Sequence, residues 1–590
     1  MSGSASFRSR CRPLTLLYAM GVIVLPMKNR RLLAPLLLAA ATILTYSNSF
    51  SAGFTLDSRQ AILNDARVHE VSARSLADIF GRTYWWPYDA SGLYRPLTTL
   101  SYLFNYAVLG NGDRPAGYHW VNLLLHIANV LLVYLLARPW TSYALPAALL
   151  WAIHPVLTES VTNIVGRADL LAALGTLAAL WFYTERPKFW PVGVAAATTI
   201  GVFSKESAVV IPLLLPLFDS NRRRLMVGLA AVVAPIAGML LARQAVLADA
   251  LPRSIPFTDN PLVSADFWTA KLTALSVLGR YCWLLVWPAR LSADYSWAQI
   301  PPASDWAALL TAAAVAGAGL LWRRRALLWA AIAILPTANL LFLTGTIMAE
   351  RFLYFPSIAF ALCLASVWRW RAGRIAVCAI VLTFGARAWF RNRDWHDDRS
   401  MAESLIRTSP ASFKAHSLLT SELARAHADP ALVAAEAEKS LAPLDPLSDA
   451  QNSEDTWRVA GEYFASAGRY ARSAEVLERC WGIVEARQRL HPDQVYPAAG
   501  GVLAMLASDY IALGRLDDAA ITLMLGHLTT GDATFRNRIL EVYRGIDCAI
   551  VPGPSGPAIN QGCPPVRSHL CAALLRARKT TELRAYGCKN

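Results

Sequence analysis

The chain has 590 residues and a mass of 64.5 kDa; it is 55% hydrophobic, only 16% charged, and has a mean hydropathy of +0.34. Soluble domains carry about 25% charged residues, so this composition excludes an ordinary water-soluble enzyme, and the 20 Trp, 20 Tyr and 20 Phe exclude a disordered chain. Lys and Arg total 56 against 41 Asp and Glu, a formal charge of +15, yet the basic residues punctuate apolar runs instead of forming one patch, which argues against nucleic acid and for the cytoplasmic loops of a polytopic membrane protein.

Arg8, Arg10 and Arg12 precede a short apolar run from Pro13 to Pro26, like the n- and h-regions of a signal peptide, but no A-x-A-like cleavage site follows. Met27-Lys28-Asn29-Arg30-Arg31 offers an alternative start, so residues 1–31 read as a cytoplasmic amino terminus with a stretch that over-extends it. Apolar stretches long enough to cross about 30 Å of hydrocarbon then recur up to residue 390. They are expected at 32–50, 119–137, 143–158, 168–183, 189–203, 206–218, 225–246, 305–322, 326–344, 351–370 and 374–390, about 11 spans. Lys28 with Arg30 and Arg31, Arg222 to Arg224, and Arg323 to Arg325 place three basic clusters on the cytoplasmic side. The stretch 267–288 would spoil that parity and carries Lys271 and Arg280, so it reads as an interfacial helix on the outer side.

The loop 51–118 contains Asp57, Asp65, Asp78, Asp89, Tyr84, Trp85, Trp86, Tyr94 and Arg95. A loop of this length is usually functional; the plain alternative is a packed cap with solvated acids. Polar residues then recur at membrane ends: His119, Asn122 and His126, His154 and Glu159, Arg167 and Asp169, Lys205 and Glu206, Glu350 and Arg351. Ionisable groups beside lipid are functional candidates, and the expected topology gathers Glu159, Arg167, Asp169, Lys205, Glu206, Glu350 and Arg351 on the face that carries Asp57. His119 and His126 fall on one side of the second span, where hydrogen-bonded packing is the competing role. Structural ion pairs within Arg167/Asp169 and Lys205/Glu206 compete likewise.

Beyond residue 391 the sequence becomes Ala-rich and amphipathic. Trp457, Ala460, Gly461, Phe464, Gly468 and Tyr470, then Leu506, Ala507, Tyr510, Gly514, Leu516 and Ala519, match the tetratricopeptide pattern, with a poorer copy at 415–446. Gly468 and Gly514 are 46 residues apart against a repeat of about 34, which leaves an insertion around 487–500. Cys548, Cys563, Cys571 and Cys588 cluster in the closing segment and read as two disulfides in an oxidising compartment. All three pairings stay open, with zinc ligation or unpaired thiols as alternatives. The organisation is therefore an amino terminus 1–31, a membrane domain 32–390, a repeat domain 391–545 and a cysteine-containing tail 546–590, all-α throughout.

The fragments "YRPLTTLSYLFNYAVLG", "GYHWVNLLLH", "HPVLTESVTNIVGRADLLA", "SKES", "LSADYS" and "AERFLYFPS" occur in this order. Followed by helical repeats, the series resembles the family of transmembrane and tetratricopeptide-repeat O-mannosyltransferases and its bacterial relatives, of the GT-C class of glycosyltransferases. The resemblance covers residues 54–400. It implies a GT-C membrane fold that transfers a monosaccharide from a polyprenyl-phosphate carrier to an acceptor hydroxyl on the luminal or periplasmic side.

In that family an acidic motif early in the first outer loop supplies the catalytic carboxylate. The matching place reads Leu56-Asp57-Ser58, so Asp57 fits the first acid while Ser58 stands where a second is common. A carboxylate can take the proton of the attacking hydroxyl, through an oxocarbenium-like transition state and with inversion. Fixed cations would stabilise the departing lipid phosphate: Arg351 first, because a guanidinium binds phosphate bidentately, then Arg95 and Lys205. Glu350 and His119 are expected to orient acceptor or sugar. The scheme requires no metal and no cofactor; its partners are a polyprenyl-phosphate sugar, the bilayer, and a protein or peptide held by the repeats. Transfer to lipid or envelope glycan, an inactive membrane-anchored scaffold and a transporter are the competing readings. The closing sequence Tyr586-Gly587-Cys588-Lys589-Asn590 is not a retention tetrapeptide, which favours a bacterial inner membrane over the endoplasmic reticulum.

Overall fold

The computed structural model describes residues 30–87, 91–248, 250, 255–300, 305–322, 324–490, 498–553 and 556–588. The reading of the amino-terminal start, together with Asp89, Arg323, Cys11 and the middle of the 487–500 insertion, lies outside the described residues. Among the described residues the fold is all-α apart from one small ribbon, in which Ile550–Gly553 pairs antiparallel with Gly556–Ile559.

Among the described residues five helices are long and apolar enough to span a bilayer: Leu32–Ser51, Ala116–Ala137, Ile164–Glu185, Arg222–Ala248 and Arg371–Trp395. A sixth arises if Ala144–Ala152 and Pro155–Val161, bent by 51° at their junction, count as one. The other expected spans are shorter or broken. Trp190–Ser204 has 15 residues, and the helix Arg324–Ile334 stops where Pro336 opens a 3-10 turn. Pro336 ends the second of these helices because it lacks the N–H that the next turn requires, whereas the first ends where Lys205 turns extended. Helix Phe267–Val286, expected at the interface, is not among the spanning helices. It packs on Trp306–Trp322 so closely that a Cβ on Gly279 would overlap the Ala308 carbonyl.

Helices Arg167–Glu185 and Trp190–Ser204 set the frame for the site. They cross at Gly175 and Gly201, where a Cβ on Gly175 would lie 2.4 Å from the Gly201 nitrogen. At one end of the pair, Asp219 accepts from Arg186 and Arg224, both at 3.4 Å. At the other end lie Asp169, Lys205 and the 51–118 loop. That loop folds as its own small core of Phe54, Ile62, Val68, Ile79, Tyr84, Tyr102 and Tyr118, and Arg67 locks it by donating to Asp65 and to the carbonyls of Thr83 and Tyr84.

Beyond Arg391 the helices pack in pairs. Gly468 and Gly514, with φ of +71° and +72°, make the turns inside two of them, a conformation open to glycine at little steric cost. Trp457, Phe464, Leu477, Leu506 and Tyr510 build their shared core. The 255–300 segment joins this region to the membrane helices. Phe257 and Trp297 pack against that core, the Trp297 indole donates to the Pro443 carbonyl at 3.0 Å, and the Ser412 hydroxyl donates to Asp294 at 2.7 Å. Cys548 is bonded to Cys563 across the base of the ribbon, and Cys571 to Cys588.

Candidate active site

Asp57 lies on an exposed turn that opens the loop, and among the described residues its carboxylate has no hydrogen-bond or ion-pair partner. Its charge nevertheless reaches Arg351, Tyr84 and Lys414. Ser58 is buried, and its hydroxyl donates to the Thr55 carbonyl at 2.6 Å. It closes the turn and presents nothing outward.

Two cations, Arg351 and Lys205, line a cleft at this end, and Arg95 lies close to Lys205; each is held by one acid. Arg351 pairs with Glu159 at 2.5 Å, and its backbone N–H donates to the other Glu159 oxygen at 2.8 Å. Lys205 pairs with Asp169 at 2.6 Å, and Arg95 with Glu206 at 3.0 Å. The broken helix explains the first pair: Pro155 interrupts the run, the His154 ring accepts the Val156 N–H, and the chain turns so that Glu159 comes to lie beside Arg351. The other two pairs follow from the extended Lys205, which separates Ser204 from Glu206 and sends the two side chains to different partners. Thr98 fixes the Arg95 side by donating to the Ser204 carbonyl at 2.8 Å. Thus Lys205 pairs across to Asp169 and not with its neighbour Glu206, and Asp169 does not pair with Arg167.

Lys205 lies within electrostatic reach of both arginines. Burial, with Arg95 and Arg351 close by, lowers the Lys205 ammonium below the ordinary lysine range despite Asp169. Arg351 is about one third exposed and Lys205 nearly buried. The cleft they line with Asp169 is walled by Ala172, Ala173, Ala208, Val210 and Phe355. It offers a charged end and an apolar flank.

Arg167 plays a different part from its neighbours. Fully buried, it donates to the side chains of Asn122 at 2.8 Å and Asn105 at 2.6 Å and to the carbonyls of Ser101 and Tyr118. It lies over the rings of Tyr102 and Tyr118, so it staples the loop to the helix Ala116–Ala137.

Two expected substrate-orienting residues lie elsewhere. Glu350 is completely buried, and its oxygens accept from the Ser292 N–H, the Tyr295 hydroxyl at 2.8 Å and Arg391 at 3.2 Å. Burial pushes its carboxyl up to about 7 against the pull of Arg391. With both oxygens engaged and no surface, it anchors Arg391 and offers nothing to a substrate. His119 is also buried; its Nε2 donates to the Ala52 carbonyl at 3.0 Å, which fixes the strand of chain leading into Asp57. His126 packs between the Tyr354 hydroxyl and the Ala152 carbonyl. Sequence reasoning missed Asp398, which bonds the Asp57 turn; the acidic pair Asp397-Asp398 directly after the last apolar helix was its only signal. Among the described residues no three His, Cys, Asp or Glu side chains gather as a metal site.

Fold and site together define an integral membrane protein in which three cations at one end of the helices are each paired with an acid while the Asp57 carboxylate has no partner among the described residues. No family model matches the chain, and no solved structure is significantly similar to it. Its sequence relatives are consistent in name. It is 28% identical to Protein O-mannosyl-transferase Tmtc1 of Drosophila melanogaster over 63% of this chain and 57% of that one. Identity is 26% to Protein O-mannosyl-transferase TMTC4 of Homo sapiens, over 65% and 63%. It reaches 32% with Protein O-mannosyl-transferase Tmtc2 of Drosophila melanogaster, over 43% and 30%. The chain is thus similar, over about two thirds of its length, to proteins named as O-mannosyl-transferases. It spans about half to two thirds of the length of the first of them, from 52% to 63%.

Proposed function

We propose that this protein is a membrane glycosyltransferase that moves mannose from a polyprenyl-phosphate carrier to a hydroxyl of a protein or peptide. The observation that carries this reading is the Asp57 carboxylate, exposed and without a partner, within electrostatic reach of Arg351 at the cleft. A base must keep its lone pairs available until substrate arrives, and Asp57 does so while Glu159, Asp169 and Glu206 are each committed to a cation. In this scheme Asp57 takes the proton of the acceptor hydroxyl as its oxygen attacks the anomeric carbon. The bond to the carrier oxygen breaks from the opposite face and its electron pair leaves with the lipid phosphate, inverting the centre. Arg351, Lys205 and Arg95 compensate the charge as it develops, without a metal, and the apolar cleft wall takes the first part of the lipid.

The names of the relatives favour mannose and a protein acceptor. The helix pairs beyond Asp398, read as tetratricopeptide repeats, would hold that acceptor above the site. The two disulfides favour an oxidising compartment, a bacterial periplasm or the lumen of the endoplasmic reticulum, on the side of the loop. The test is transfer from polyprenyl-phosphate-mannose to the soluble protein fraction of the same source, using the full chain in reconstituted membranes. Asp57→Asn keeps the shape but loses the base, so transfer should fall about 10² to 10⁴-fold. Equal transfer by the variant would remove Asp57 from the chemistry.

A further inference from the structure

The carboxylate of Asp398 holds the turn that carries Asp57 from both sides. One oxygen accepts the backbone N–H of Leu56 at 2.9 Å, and the other accepts Arg59 Nε at 3.0 Å. The residue before Asp57 and the residue after Ser58 are thus tied to one side chain that is only 6% exposed. Leu56 has φ of +48°. L-residues other than Asn, Asp and Gly seldom adopt this left-handed conformation, and it persists only where the surroundings impose it. The surroundings here are specific: Leu56 packs against the cluster of Trp395, Met401 and Leu405, and the Gly53 N–H donates to the His396 carbonyl at 2.8 Å.

Asp398 is itself fixed in place. It opens the helix Asp398–Thr408, whose cap is the neighbouring Asp397, accepting the Ser400 N–H at 2.7 Å. The hold on Asp57 therefore comes from the first helix beyond the last membrane helix, 342 residues away in sequence from the N–H it binds.

We infer that Asp398 is a positioning residue for transfer: by clamping Leu56 and Arg59 it sets the direction of the Asp57 carboxylate, which it leaves unpaired. The inference rests on Asp57 being the base. Asp398 touches no substrate; it determines whether the proton acceptor lies within hydrogen-bond reach of the hydroxyl, and a misplacement of about 1 Å at such a group can lower a rate about 10²-fold.

The experiment uses the reconstituted full chain with polyprenyl-phosphate-mannose, comparing Asp398→Ala and Asp398→Asn, each alone and combined with Asp57→Asn. Alone, Asp398→Ala should lower kcat about 10 to 100-fold with donor KM unchanged. Asp398→Asn keeps the volume and one acceptor oxygen for Leu56, so its loss should be smaller; it serves the same comparison if the alanine variant folds poorly. In the Asp57→Asn background neither change should lower the residual rate further, because the group being aimed is already gone. Amide exchange should rise in residues 53–60 and not in the helix Ala116–Ala137. Full kcat in Asp398→Ala, the same fold-loss in both backgrounds, or unchanged exchange at 53–60 would each overturn the inference. Asp57→Asn transferring at the wild-type rate would overturn the base and this inference with it, whereas an inactive Asp57→Asn beside a fully active Asp398→Ala would overturn this inference alone.

Discussion

In the membrane half Arg167 is fully buried and satisfied by amide oxygens and carbonyls, while beyond Asp398 ion pairs such as Arg515 with Asp518, 2.8 Å apart, lie half in water. Both halves are α-helical, yet they handle polarity by opposite rules. In lipid an unsatisfied donor has no water to turn to, so a charged donor such as Arg167 is given internal partners, while neutral hydroxyls such as those of Tyr46 and Tyr183 are left without one. In the carboxy-terminal half water accepts whatever the packing leaves over, and the small end segment is held by two disulfides instead of a larger core. The difference teaches where to look for function. At the loop end of the membrane half the cleft acids Glu159, Asp169 and Glu206 are each paired with a cation, whereas Asp57, whose charge reaches Arg351, has no partner among the described residues; the same exposure on a surface helix of the carboxy-terminal half would mean little.

That contrast can be broken most severely at Arg167. Arg167→Leu removes four hydrogen bonds and leaves buried acceptors at Asn122, Asn105, Ser101 and Tyr118 unmet, at about 1 to 3 kcal/mol each before relaxation. The expected outcome is loss of monodisperse protein after detergent extraction, checked by size-exclusion chromatography and thermal unfolding.

Removing the bridges should affect only the other half. The paired cysteines are 15 and 17 residues apart, and loops of that size correspond to about 3 kcal/mol per bridge. Replacing Cys571 and Cys588 with serine should make the segment after Ile546 sensitive to proteolysis and leave the membrane helices intact, as read by limited digestion and mass spectrometry.

A smaller effect separates the cleft cations from ordinary surface lysines. Because the Lys205 pKa lies below its usual range, the ammonium loses its proton, and its attraction for phosphate, at a lower pH than a free lysine would. Donor KM should therefore start to rise on the alkaline side before ordinary lysines titrate. Lys205→Arg, which stays charged, should flatten that limb of the KM profile. The smallest effect belongs to Arg515→Gln: an exposed pair of this kind contributes below about 1 kcal/mol, so its unfolding temperature should barely move, and less still at high salt.

Much of the site was legible in the residues, for a physical reason. Ionisable side chains among apolar runs are rare enough to stand out, so Arg351, Lys205, Arg95, Glu159 and Asp169 could be named from their neighbours alone, and the structure does gather them at one end. Their partners were not legible. Asp169 and Lys205 are 36 residues apart, Arg95 and Glu206 are 111 apart, and Glu159 and Arg351 are 192 apart, whereas adjacency in sequence pointed to Arg167 with Asp169 and Lys205 with Glu206. Glu350 and His119 were chosen by position beside Arg351 and the loop, but burial turned both into anchors. The span count suffered similarly: hydropathy detects an apolar run, while a proline at 155 or 336 decides whether that run is one straight helix.

By itself the sequence determined the all-α class, the end of the long apolar runs near residue 391, the glycine turns at 468 and 514, and the cysteines that would pair. These depend on local composition and short spacings, which the chain carries whatever its fold. Only the tertiary structure decided which acid holds which cation, that Asp57 stays unpaired, and that Asp398 clamps the turn around it. Those outcomes depend on helix crossings such as Gly175 on Gly201 and on contacts across hundreds of residues, where distance in space has no counterpart in distance along the chain.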